Sequence, residues 1–170
     1  MIASAPKPDA SARRAARLAA IQALYQMELT GLDAETVVEE FATYRFGREP
    51  ELTALGEPDE AFFADIVRGV PHHQAEIDAA ITQCLASDWR LSRVDSILRA
   101  ILRAGAYELI GRGDVPVKVV IDEYVELSHA FFFDEESAFV NAALDRLARR
   151  KRAAEFGEPP PEDEPGGQQN

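Results

Sequence analysis

The chain has 170 residues, a formal net charge of −12, 46% apolar residues and one cysteine. That length suits one compact domain of about 140 residues with a proper core and a tail at each end. The acid excess excludes a protein that coats nucleic acid nonspecifically, the lone Cys84 excludes an intramolecular disulfide or a cysteine-rich metal site, and no apolar run is long enough for a membrane span.

Residues 1–10 hold two prolines and little bulk, which predicts a disordered start. They lack the basic start and apolar core of a secretion signal, so the cytoplasm is the expected compartment. From 11 to 29 the pattern is helical, with Leu18, Ile21, Leu24 and Tyr25 as its apolar stripe and Gly31 as its end. Arg13, Arg14 and Arg17 fall within roughly 100° of one another and overlap that stripe. Three arginines in line with a core stripe are expected to project past the end of the bundle. Asp33 is placed to cap a second helix over 34–44, with Val37, Val38 and Phe41 inward. Glycine and proline punctuation makes 45–57 a loop. Pro58 starts a third helix through Phe62, Phe63, Ile66 and Val67, Pro71 interrupts it, and a fourth carries Ile77, Ile81 and Leu85.

The stretch 93–110 is the most apolar helix in the chain. Val94, Ile97, Leu98, Ile101, Leu102, Gly105 and Leu109 recur at three- and four-residue steps. Ser92, three residues before Asp95, resembles a capping pair, and Ala100, Ala104 and Ala106 keep the other faces small. Such a helix is expected to be the strut that the others pack around. A helix over 116–129 follows, with Val119, Val120, Tyr124 and Leu127 inward. Phe131-Phe132-Phe133 makes a turn, and Asp134 caps a last helix whose basic end suits a helix C-terminus. One domain over 11–152 is expected, with 153–170 as a disordered acidic tail rich in proline and glycine. Seven helices and no strand make this an all-α chain.

Catalysis finds little foothold. Glu126 and His129 have the spacing of a carboxylate-bridged metal site, but no second copy exists, so neither metal nor cofactor is expected. His72-His73 reads as a polar helix junction. Phosphate-cradling glycine loops, dinucleotide fingerprints and serine-nucleophile elbows are absent. The arginine cluster differs in kind. Cations at a helix N-terminus oppose the helix dipole, and guanidinium groups pair with phosphate and stack on bases. Residues 33–65 hold ten acids against Arg45 and Arg48, so any RNA contact belongs to the basic end, and the acidic body favours a basic protein partner.

Three stretches together resemble the NusB family of bacterial transcription antitermination factors. They are RRAARLAAIQALY at 13–25, the stretch 89–109 ending in LRAGAYEL, and VPVKVVIDEYVELSHAFFFDEESAFVNAALDRL at 115–147. The resemblance implies about seven helices in two packed bundles and a protein without catalytic activity. It further implies binding of the boxA element of nascent ribosomal RNA leaders, jointly with the ribosomal protein NusE, inside an RNA polymerase antitermination complex. By position, Arg13, Arg14 and Arg17 are implied to grip phosphate beside Gln22 and Tyr25, and Lys118, Phe139 and Asn141 to form a second RNA-facing group. Leu98 and Glu135 fall at the implied partner surface. Several positions depart from the family pattern. Ala138 and His129 replace lysines, Ala142 a glycine, Ser128 an alanine, Asp122 an asparagine, and Leu98 an acid. The lost lysines predict weak RNA binding without the partner. Two rivals remain: a NusB-like module related to the N-terminal domain of an rRNA cytosine methyltransferase, although no glycine-rich methyl-donor motif occurs, and a pure protein-interaction bundle.

Overall fold

Aspartates start four of the helices, because a short carboxylate can accept the first free N–H groups of the turn that follows. In this computed structural model, which describes residues 9–157 apart from the Glu51 side chain, Asp9 begins α1 (Ala10–Thr30). Its Oδ1 accepts from Ser11 and Ala12 N–H at 2.9 and 3.3 Å. α1 stops where Gly31 takes φ 73° and donates back to Met27 O, a conformation glycine adopts without penalty. Asp33 caps α2 (Ala34–Glu40) as expected, and the chain then widens into a π-type turn at Phe41–Arg45. The stretch read as loop holds one helical turn, α3 (Pro50–Thr53), because Leu52 is buried in the core. Asp59 caps α4 (Glu60–His72), so Pro58 precedes the cap instead of lying in the first turn; Pro71 lies inside the helix end, and His73 joins it to α5 (Gln74–Cys84).

A 3-10 turn at Leu91–Arg93 buries Leu91, so α6 (Ser96–Gly111) starts after Asp95 and Ser92 is no cap. α7 (Val117–Ser128) follows Pro116. In α8 (Asp134–Lys151), Asp134 lies in the first turn instead of capping it, beside Glu135 and Glu136, and Glu136 accepts from Phe133 N–H at 3.2 Å. Three acids there suit the positive end of the helix dipole. The fold also runs past residue 152. A 3-10 turn at Ala153–Phe156 buries Ala153, and Glu155 accepts from Val117 N–H at 3.1 Å, which caps α7 from outside. The tails expected at 1–8 and 158–170 lie outside the described residues.

No strand occurs among the described residues. α6 is the strut: it packs against α1 and α4 in one bundle and against α5, α7 and α8 in the other. Ile101, Leu102, Ala104 and Ala106 are fully buried. A β-carbon on Gly105 would lie 2.9 Å from Leu144 Cδ1 and 3.3 Å from the Tyr124 ring, so the glycine is what lets α7 and α8 close against the strut. On α4, Gly69 leaves room for the Tyr107 ring, which a β-carbon would meet at 2.3 Å.

Arg17 overturns the expectation for α1. It is 2% exposed, and its Nε and Nη2 donate to the two Glu108 carboxylate oxygens at 2.9 and 2.8 Å. Glu108 is fully buried on α6 and also accepts from the Tyr124 hydroxyl on α7. The arginine goes inside because its counter-charge goes with it. Burial opposes the Arg17 charge, but the hydrogen bonds and charge of Glu108 outweigh it, and the guanidinium pKa rises. Burial, and then the Glu108 charge, push the Tyr124 hydroxyl well above its ordinary value, so it stays a neutral donor.

Arg99, 9% exposed on α6, ties the α1 end to the strut. It donates to Glu28 Oε2 at 3.0 Å and to the Leu91 and Val94 carbonyl oxygens at 3.1 and 2.6 Å. The Arg99 hydrogen bond holds the Glu28 carboxyl below the usual carboxylate range against partial burial.

Two outcomes follow from these buried and half-buried charges. Urea unfolding of Arg17→Ala should show a loss of about 3–5 kcal/mol, since Glu108 is left charged and unpaired. Arg17→Met with Glu108→Leu, which removes both charges, should recover most of that; an equal loss would refute the account. Because Glu28 has a lowered folded pKa, its contribution is complete above the ordinary carboxylate range and disappears as pH falls through the folded value. The stability gap between the wild type and Glu28→Gln should therefore shrink from about pH 6 to about pH 3; a constant gap would contradict it.

Candidate nucleic-acid interface

With Arg17 in the core, the other two α1 arginines divide between interior and surface. Arg13 is half-buried over the Phe62 ring, 4.5 Å from its centroid, between Asp59 at 3.8 Å and Asp114 at 3.9 Å. Arg17 and Arg112 sit over the same ring at 4.9 and 5.0 Å, so Phe62 gathers three guanidinium groups at the junction of α1, α4 and α6. Only Arg14, at the outer edge of the α1 stripe, opens to solvent, with its side chain 45% exposed. Its Nε and Nη2 donate to Glu123 on α7, both at 2.9 Å, and this bond and the Glu123 charge raise its pKa. A paired arginine can still meet phosphate by exchanging one anion for another. The expected cluster of three free cations is thus one surface group and two structural ones.

Gln22 and Tyr25, further along α1, are half-buried and line a groove of about 380 Å³ with Leu29, Arg45, Ile97 and Phe131. Leu29 is 62% exposed. Arg45 supplies no free charge, since it packs on the Phe41 ring at 4.2 Å and bonds to Glu49 and the amides of Gln26 and Gln22. Apolar walls with satisfied polar groups make this groove a poor phosphate site and a good seat for a protein side chain. Leu98, placed at the partner surface by resemblance, is 7% exposed and belongs to the core. An aliphatic residue in that position on the strut turns inward, and its neighbour Ile97 faces the groove instead.

The second expected RNA group also divides. Lys118 and Asn141 line a groove of about 360 Å³ between α7 and α8, with Asp122, Asp145, Glu155 and Phe156 around them. The Lys118 side chain is 87% exposed, with only a loose 3.9 Å contact to Asp122. Phe139 is two residues from Asn141, about 200° around the helix. It packs on Trp89, ring centroids 5.4 Å apart, away from Lys118. Glu135 is exposed in the first turn of α8.

Sequence reasoning missed Glu108, Glu123, Arg45, Ile97 and Phe131. Glu108 had a usable signal: a lone acid inside the most apolar helix requires a buried cation. Among the described residues, no group of histidine, cysteine and carboxylate side chains is placed to hold a metal ion, and no helix is long and apolar enough to cross a membrane.

Residues 14–149 match the model of the NusB family. The chain is 54% identical over 140 residues to the transcription antitermination protein NusB of Caulobacter vibrioides, covering 82% of this chain and 94% of that one. Against its counterpart in Maricaulis maris it is 54% identical over 144 residues, covering 85% and 90%. The fold matches T. maritima NusB with a TM-score of 0.69 at 30% identity, over 85% of this chain and 96% of that one. A NusB chain crystallised with NusE and double-stranded RNA shares the fold, with a TM-score of 0.62 at 24% identity over 80% and 95%. Helix order, buried strut and sequence identity agree, and the chain belongs to the NusB family.

Proposed function

We propose that the chain is a transcription antitermination factor that holds the boxA element of nascent ribosomal RNA leaders together with NusE, within an RNA polymerase complex. It works in the cytoplasm by binding and not by catalysis. The observation that carries this reading is the near full-length match to relatives named for transcription antitermination. The surface chemistry supports it. Arg14 and Lys118 are the exposed cations of α1 and α7, and Asn141 can add a base-edge hydrogen bond beside Lys118. The groove of Tyr25, Leu29, Ile97 and Phe131 suits an apolar side chain of a ribosomal protein, and the acidic body draws that basic partner in. Arg17 keeps a supporting role, since it fixes α1 against α6 and α7 and thereby sets where Arg14 stands.

A gel-shift titration of boxA RNA and a scrambled control, with and without the ribosomal partner, tests the reading. Specific binding should strengthen with the partner, and with about three to five phosphate contacts the log–log salt slope should be roughly −2 to −3.5. Arg14→Ala with Lys118→Ala should flatten that slope by about 1.4 without unfolding the chain. Leu29→Asp should cut partner binding while leaving intrinsic RNA binding in place. Equal affinity for both RNAs under every condition would reject the function.

A further inference from the structure

The side of α8 facing away from Lys118 carries a second arrangement suited to a nucleic acid. Trp89, in the loop between α5 and α6, is 50% exposed, and Phe139 props its ring from below at 5.4 Å with the planes 34° apart. Steps of three and four residues along α8 lead from Phe139 through Ala142 to Arg146 and Arg150, with Lys151 next. Arg146 donates to the Cys84 carbonyl oxygen at 3.2 Å, which fixes this end of α8 against the end of α5. Burial raises the Cys84 thiol pKa while Arg150, Arg146 and Lys151 pull it partly back, and one helical turn separates Arg146 from Arg150 on the same side of α8. Arg90 and Arg93 follow Trp89 in the same loop.

The charge state of these groups sets them apart. Arg13, Arg14, Arg17, Arg99 and Arg103 all pair with carboxylates. Arg90, Arg93, Arg146, Arg150 and Lys151 make no ion pair among the described residues. Asp145, next to Arg146 in the sequence, pairs with Arg149 at 3.0 Å, and Asp95, two residues after Arg93, caps α6, while Asp88 and Glu135 flank the aromatic end. In a chain of net charge −12, cations that would break no ion pair, on the same side of α8 as the aromatic residue under an open Trp89 ring, suit a polyanion with flat faces.

We propose that this face binds single-stranded RNA, a base stacking on Trp89 and the phosphates following Arg146, Arg150 and Lys151. The proposal rests on the RNA-binding function above and extends the transcript's path around α8. RNA fits better than an acidic protein, because the aromatic surface is a single tilted pair and not a patch able to exclude water over a protein interface.

Trp89 is the only tryptophan, so its emission reports on this face alone. The probe is a labelled single-stranded boxA RNA of about 20 nucleotides, followed by anisotropy and by Trp89 emission in the same titration. RNA should quench the emission saturably and in step with anisotropy. Arg150→Glu with Lys151→Glu should weaken binding about tenfold, flatten the log–log salt slope by about 1.4 and leave the circular dichroism unchanged. Anisotropy that reports binding while Trp89 emission stays constant overturns the proposal, as does wild-type affinity in the double variant. Equal quenching by polyglutamate would assign the face to an acidic protein and overturn it too. Absence of any RNA binding, with the partner present, would sink the functional reading itself, and the anisotropy channel distinguishes that from failure of this face.

Discussion

The contact among Arg17, Glu108 and Tyr124 constrains everything else in this molecule. Each group comes from a different helix, and none of the three reaches water. A carboxylate and a guanidinium taken from water cost several kcal/mol each, which is returned only if both stay paired in good geometry. Sliding α1 by one turn would strand Glu108 in the apolar strut, so the pair selects one register for α1 against α6 and α7. That register has outward consequences. Arg14, three residues before Arg17, arrives beside Glu123, the residue preceding Tyr124, and Tyr25, two turns later, arrives over Ile97 and Phe131. The surface groups stand where they do because a buried charge fixed the helix beneath them.

The helical skeleton was largely legible in the sequence. The strut's apolar spacing, the small residues around Gly105, the Asp33 cap and the histidine junction all depend on residues within a turn or two of one another, and the structure carries each of them. The errors share a cause. Arg17 was assigned to solvent because its partner lies 91 positions away, and local periodicity holds no information about a carboxylate at that distance. Ser92 lost the cap to Asp95 because Leu91 needed burial, which a 3-10 turn supplied. The tail boundary at 152 missed Glu155, whose role is to cap a helix nearly forty residues earlier.

The candidate site was less legible than the fold, for a related reason. Resemblance transfers positions but not the direction in which a side chain points. Phe139 and Asn141 are neighbours in sequence, yet a helix turns about 200° over two residues, so they address different surfaces. Leu98 was placed at a partner surface by resemblance, and as an aliphatic group on the strut it turns inward.

Charge economy links the fold to how such a chain can engage RNA. Most of its arginines neutralise acids that the fold itself brings close, leaving few cations to release counterions from a phosphate backbone. Near physiological salt, fields die away within about 8 Å, so the acidic residues of α2 and its loop do not cancel cations on distant faces, but those cations act only on strands that come to them. On the proposed function, intrinsic affinity would therefore be modest and local. A basic ribosomal protein seated in the apolar groove would add its own cations to the same strand, and the pair would hold by joint contact an RNA that neither holds well alone.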